Sequence, residues 1–588
     1  MHPRIAVLAA FLATSAPAFA GTFFVDANLA SGANDGSTWA DAFQGSGGLQ
    51  LALAAANAGD QVWVADGTYV PTSTAARTIS FNLESGVEIY GGFAGGEGTL
   101  AERDPAVNIA VLSGDLLGDD VGFTNNAENS FHVVRGTGAN ATAILDGFTV
   151  SGGNANGAAN DDRGGGFLFL GSGQATIVNC LVQGNRCTFG GGAGYISASS
   201  PTFTLCRFVG NVGGAFGGAF DMASGVASTF RRCIFTGNSA ARAGGIEIFG
   251  GSPVKVYDCI FTGNTSTGTG GGGAIFISSS SAAVRGCTIT GNFSSVNATA
   301  GILVSGAGAT IANSIVYFNS GPGGAQGTAN QIAGAGQVSY SCVQGGIAGT
   351  GNVSGDPMFI NAVGGDYTLA SGTPCADSGN NAAVPAVSTT DRAGLPRISD
   401  DPVAADTGSG TRPIVDMGAF ERQNALYETF CFGDGTLATP CPCGNNGLAG
   451  HGCLNSDFFS TGGVAWATGA TNPDTVAIAG AELRVGIACI VLQGSASIPA
   501  GTPYGDGVRC VGGTSRRLYT KSTDANGAVL APELGDPSIT ARSAAVGDPI
   551  APGSLRHYQI WYRDAKPSFC APPVGDAWNV SSGVTVSW

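Results

Sequence analysis

Five cysteines stand in one column. Cys180, Cys206, Cys233, Cys259 and Cys287 are separated by 26, 27, 26 and 28 residues. Five residues after each comes an asparagine: Asn185, Asn211, Asn238, Asn264 and Asn292. A sixth line keeps the register with Ser314 and Asn319. The position three before each cysteine is apolar (Ile177, Phe203, Phe230, Val256, Val284), and so is the position two after (Val182, Phe208, Phe235, Phe261, Ile289). A period of this length, built from short Val/Ile/Phe runs between Gly, Asn and Ser, means stacked coils of strands. The two apolar columns are an odd number of residues apart. One flat strand cannot point both inward, so a corner falls between them.

The fold class that follows is all-β: a right-handed parallel β-helix from about residue 60 to 345, with coils roughly 4.8 Å apart. The asparagines are expected at corners, because Asn tolerates left-handed backbone angles. Their stacked amides can bond donor to acceptor along the axis. The cysteines are expected to remain buried thiols. Side chains on adjacent coils run parallel about 4.8 Å apart, whereas a relaxed disulfide wants Cβ atoms about 3.8 Å apart. Cys342 and Cys375 lie outside the column, where the last coil must be sealed, and are expected to pair as a disulfide.

The chain is expected to fall into five parts. Residues 1–20 read as a signal peptide, with Arg4, an apolar run from Ile5 to Leu12, and Ala18-Phe19-Ala20 as the cleavage site. Residues 21–59 form an amino-terminal cap holding one helix, from Leu49 to Ala58, that stops at Gly59. The solenoid follows at 60–345 and a closing segment at 346–424. After Glu421 the composition changes, and seven of the 15 cysteines lie between 431 and 570. Residues 425–588 read as a small β-sandwich stapled by disulfides. Net charge is −16 and only four His are present. That balance argues against nucleic acid as a partner and leaves little for His-based chemistry. No stretch is long and apolar enough to span a bilayer.

Several stretches carry a family resemblance. GANDGSTWADAF, VEIYGGFAGGEGT followed by AERDP, and ILDGFTVSGGNANG resemble secreted bacterial parallel β-helix proteins. The FVGN, FTGN and GGAIFI elements resemble the repeats of polymorphic outer-membrane proteins. GNVSGDPMFINAVGGDYTLASGTPCADSG, TDRAGLPR and VDMGAFE are similar to the terminal segment of the choice-of-anchor Q family. The resemblance implies a secreted or cell-surface solenoid and no single activity. The Cys-rich module stands where that family often has a short anchor.

Catalytic candidates are few. A polysaccharide lyase would need carboxylates for Ca²⁺ and a basic residue. The sequence offers Asp161, Asp162 and Arg163 in one loop, and Asp115, Asp119 and Asp120 in another. Adjacent carboxylates usually sit in solvated loops. The NTD and GHG elements of polygalacturonase-like enzymes are absent. Within the regular coils, Asp221, Glu247 and Asp258 are read as unstacked, so no facing pair of carboxylates is seen. CPC at 441–443 with His451 and Cys453 suggests disulfides rather than zinc. No cofactor is expected; Ca²⁺ would suit the Asp-rich loops, and Asn34-Asp35-Gly36 reads equally as a Ca²⁺ loop or as ordinary turn chemistry. Tyr558, Trp561, Tyr562 and Trp578 are the aromatics available to stack on sugar rings, or else to fill the sandwich core. The function expected is a non-enzymatic surface or matrix protein that binds polysaccharide or another cell-surface component through a solenoid face. A lyase or glycoside hydrolase acting on acidic polysaccharide is the alternative.

Overall fold

The computed structural model describes residues 20–588, except 297–298, 325, 335, 371, 402–403, 423–426, 458–459, 470, 472, 552, 567–568 and 571–576. The expected signal peptide therefore lies, up to residue 19, outside the described residues. The chain divides into two compact units, Met1–Gln423 and Asn424–Trp588.

In the first unit, among the described residues, three parallel sheets of 12, 10 and 9 strands run the length of a solenoid. One coil shows why the sequence folds this way. Thr202–Thr204 lies in the first sheet, Arg207–Val209 in the second and Phe220–Ala223 in the third. Each pairs in parallel with its counterpart one period on: Phe203 with Phe230, Phe208 with Phe235, and Phe220 with Ile246. All six of those side chains are fully buried in one core that runs through the solenoid. Phenylalanines stack along it, with Phe235 and Phe261 at 4.3 Å between ring centres and an interplanar angle of 3°.

The corner between the apolar columns falls where the odd spacing requires, but not on the column asparagines. The left-handed residue is the one immediately before each cysteine: Asn179, Leu205, Arg232, Asp258 and Gly286. A second left-handed residue precedes each column asparagine, and there it is Gly184, Gly210, Gly237, Gly263 or Gly291. Glycine carries the backbone strain of that corner, which frees the asparagine side chain to bond. Asn185, Asn211, Asn238, Asn264 and Asn292 each donate their side-chain amide to Oδ1 of the next asparagine at 2.8–3.1 Å. The same Oδ1 accepts a backbone N–H from the coil before it. The column cysteines are buried free thiols. Cys206 Sγ faces the carbonyls of Thr204 and Ile177 at 3.4 and 3.6 Å.

Two boundaries differ from expectation. Thr22–Asp26 already pairs in parallel with Gln61–Ala65, so the first sheet begins inside the segment read as a cap. The helix runs Gly48–Ala55, shorter than expected, and buries Leu49 and Ala52 in the solenoid core.

The segment after residue 345 does more than seal the last coil. A hairpin pairs Phe359–Asn361 with Asp366–Leu369. From there the chain returns along the flank of earlier coils. Arg397, buried to 2%, bonds Asp258 of the solenoid at 3.1 Å and Glu421 at 2.6 Å. It also donates to the Gly418 carbonyl at 2.8 Å. TDRAGLPR and VDMGAFE thus meet in one buried ionic clasp that holds the segment to the solenoid. Cys342 and Cys375 meet in a small apolar cluster beneath the hairpin. They are free thiols in contact, which corrects the expected disulfide; the hydrogen bond with the Cys342 thiol first, then burial, holds Cys375 well above the ordinary thiol range. Cys342 Sγ donates to the Gly355 carbonyl at 3.2 Å.

The second unit packs two antiparallel sheets face to face. One holds Tyr427–Phe430, Trp578–Ser587, Leu555–Arg563, Ala488–Tyr504 and Gly507–Ser522; the other holds Val464–Thr468, Ala477–Ala481 and Val529–Ala531. Their inner faces share one core. Three disulfides join Cys431 to Cys510, Cys441 to Cys453 and Cys443 to Cys570.

Candidate functional site

Outward positions of the first sheet build a groove. Side chains alternate along a strand, so residues two and four before each column cysteine point away from the core. The position two before gives the ladder Thr204, Arg231, Tyr257, Arg285, and the position four before gives Thr202, Thr229, Lys255, Ala283. The returning segment forms the facing wall with Pro385, Ala386 and Val387. The groove encloses about 670 Å³. Two of its own cations hold the wall in place: Arg231 donates to the Val387 carbonyl at 2.6 Å and Arg285 to the Ala383 carbonyl at 3.4 Å. Arg231, Lys255 and Arg285 come from three successive coils. None is salt-bridged among the described residues, and the residues lining the groove include no carboxylate. A cationic trough in a chain of net charge −16 is a local concentration of one sign.

The third sheet carries a second feature. Its outward ladder runs Tyr195, Asp221, Glu247, Phe276. Asp221 and Glu247 are therefore neighbours on adjacent coils, which corrects the reading that no carboxylates stack. Both are covered, at 1% and 0% exposure. The cover is a row of aromatics and guanidinium groups. Arg163 sits over Phe189 at 4.4 Å and Tyr195 at 4.8 Å, and Arg242 over Phe216 at 4.5 Å and Phe276 at 4.8 Å. Arg242 also grips Glu247. Neither oxygen of Asp221 has a hydrogen-bond partner. Burial first, then the Glu247 charge, pushes its carboxyl up to about 8, against the opposing pull of Arg163 and Arg242. The pair is sealed from solvent and is built into the wall.

The expected site residues separate. Asp161 bonds His132 at 3.2 Å and Asp162 bonds Arg163 at 2.8 Å. Asp162 thereby braces Arg163 of the aromatic cover, and none of the trio lines the cationic groove. Asp115, Asp119 and Asp120 do come together, joined by Glu128, which sequence reading missed. Asp115 is already occupied by the amides of Gly118, Asp119 and Asp120. In the second unit, Tyr558 and Tyr562 are fully buried in the sandwich core, so neither can face a sugar. Trp561 and Trp578 are partly exposed. CPC supplies two different disulfides rather than a metal site.

Among known proteins, the family model described as right handed beta helix region matches residues 113–261 and 165–336. The solenoid is a right-handed parallel β-helix. The crystal structure of pectate lyase Pel9A is similar at 14% identity and a TM-score of 0.37, covering 69% of this chain and 97% of that one. No curated protein matches. No helix among the described residues is long and apolar enough to cross a membrane.

Proposed function

We propose that the first unit binds an acidic polysaccharide along the groove of Arg231, Lys255 and Arg285. One observation carries the reading: three cations on successive coils, none salt-bridged among the described residues and with no carboxylate in the groove lining, in an acidic chain. Coils rise about 4.8 Å each, so the charges are spaced along the axis, Arg231 and Arg285 in one column and Lys255 two residues to its side. A uronic acid polymer presents its carboxylates in a row as well. Charge-assisted hydrogen bonds from guanidinium to carboxylate are short and directional. Tyr257, between Arg231 and Arg285, adds an apolar floor for the sugar ring. This is binding chemistry. The lyase alternative needs a base free to take a proton: Arg231 and Arg285 are engaged with the wall carbonyls, which leaves Lys255 as its candidate.

The test is retention and product analysis on a panel of acidic polysaccharides, with a neutral glucan as control. Retention that falls with added salt, without change in the polymer, supports binding. Release of unsaturated oligosaccharides would replace it with the lyase reading. Equal retention on the neutral glucan would remove the role of the cations.

A further inference from the structure

The returning segment carries three aspartates from separate places in the sequence. One carboxylate oxygen each from Asp377, Asp400 and Asp406 lies within 4.8 Å of the others. Oxygens bound to a single Ca²⁺ at 2.3–2.6 Å stand no farther apart than about 5 Å, so the three fit around one ion. Clustered acids alone would carry nothing, because many are merely solvated.

Asp377 is different. It is 0% exposed. Its Oδ2 accepts the Asp401 amide at 3.2 Å, while its Oδ1 is buried with no hydrogen-bond partner. Asp406 repeats the pattern: Oδ2 holds Arg412 at 2.6 Å and Oδ1 is buried and unpartnered. A buried carboxylate oxygen without a donor is costly, and a bound cation removes that cost. The backbone already fixes the geometry. The Asp377 carbonyl accepts the amides of both Thr407 and Gly408 at 3.0 Å, and the Asp377 amide donates to Asp416 at 2.7 Å.

We propose that Asp377, Asp400 and Asp406 form a Ca²⁺ site that ties Asp400 and Asp406 to the segment at 377. The donor set is all carboxylate oxygen, which selects hard cations over zinc or copper. Mg²⁺ demands near-ideal octahedral geometry and gives up its waters reluctantly, so a cluster of three protein carboxylates favours Ca²⁺.

The test is calorimetric titration of the chelator-treated full chain with CaCl₂ and, separately, MgCl₂, alongside thermal melts. One Ca²⁺ site with a dissociation constant on the order of 10⁻⁴ M is expected, as for extracellular modules. Ca²⁺ should raise the melting temperature and equal Mg²⁺ should not. Asp400 is exposed, so Asp400→Asn should fold normally and weaken Ca²⁺ binding about tenfold or more, as a lost ligand charge does. Asp400→Asn with Asp406→Asn should abolish it. Wild-type protein with neither heat nor melting shift on Ca²⁺ addition would overturn the site. So would unchanged affinity in Asp400→Asn, or binding lost only in Asp115→Asn with Asp120→Asn, which would move the ion to the other acidic cluster.

Discussion

Gln331 accepts the side-chain amide of Asn319 at 2.8 Å, so the asparagine ladder ends on a glutamine carried by the short helix Thr328–Gln331. Gln331 then returns its own amide to the Asn319 carbonyl at 2.8 Å. A ladder of amides always leaves one acceptor demand at its end, and a longer amide from outside the repeat meets it. Interior members are satisfied from both sides. Asn264→Ala would strand the amide groups of Asn238 and the carbonyl of Phe235 in the core. The expected loss is about 3 kcal/mol, read as a lower urea midpoint with an unchanged slope.

Charge removal in the groove should weaken binding in proportion. Arg231→Ala and Lys255→Ala are each expected to weaken binding of an acidic polysaccharide about tenfold, the worth of one charge-assisted contact. Isothermal titration in low and high salt reads this. The salt dependence of binding should flatten in the double variant, because fewer cations are being screened. Lys255 is exposed and touches no wall carbonyl, so its variant separates ligand contact from loosening of the wall.

The period of the solenoid and its inward columns could be read directly, because burial forces the same residue type at the same place on every coil. The groove was legible too: Arg231, Tyr257 and Arg285 share the position two before the cysteine, but an outward column varies in residue type and so draws no attention. Asp221 and Glu247 escaped for a different reason. The Gly-Gly pairs before them suggest aligning Gly217 with Gly244, yet the structure pairs Phe220 with Ile246. The loop before that strand absorbs one residue, and a one-residue slip reverses which side chains face each other. The groove's second wall could not be read at all. Arg231 and Val387 are 156 residues apart and no local pattern links them.

Asp221 sets a pH dependence. Its folded carboxyl is raised to about 8 from 3.8. The folded state therefore holds this proton between roughly pH 4 and 8, while the unfolded chain has released it. Its contribution to stability is fully present below pH 4, declines as pH rises, and is gone above about 8. Asp221→Asn removes the titration. The melting temperature of this variant relative to wild type should climb from pH 5 to pH 9. A constant difference would show that Asp221 titrates near its ordinary value in the folded protein.

Arg397 is the centre of the buried clasp, and its loss leaves Asp258 and Glu421 facing each other without a cation. Arg397→Met should cost about 3–5 kcal/mol, as removal of one member of a buried ionic group does. The damage should be local. Limited proteolysis is expected to cut first between 380 and 400, before any cleavage in the coils.

Thiol labelling should divide the 15 cysteines into nine and six. In denaturant without reductant, nine are expected to alkylate, including all five of the column. In native buffer those five should react slowly, because they are fully shielded and burial raises the thiols of Cys206 and Cys259. Mass mapping of labelled peptides reads both outcomes.

The repeated register has a consequence for how such a chain can change in length. Phe203 sits beside Phe230, and Phe230 beside Val256, through the same hydrogen bonds. A coil therefore meets its neighbours through surfaces that are nearly interchangeable. Excising the 27 residues from Cys206 to Arg232 would set Leu205 before Cys233 and leave every remaining strand a partner in step. Losing one residue from the same stretch would turn inward side chains outward along a whole strand. The solenoid thus behaves as a ruler graduated in whole coils. The groove is measured on the same scale, with one cation offered per graduation across three marks.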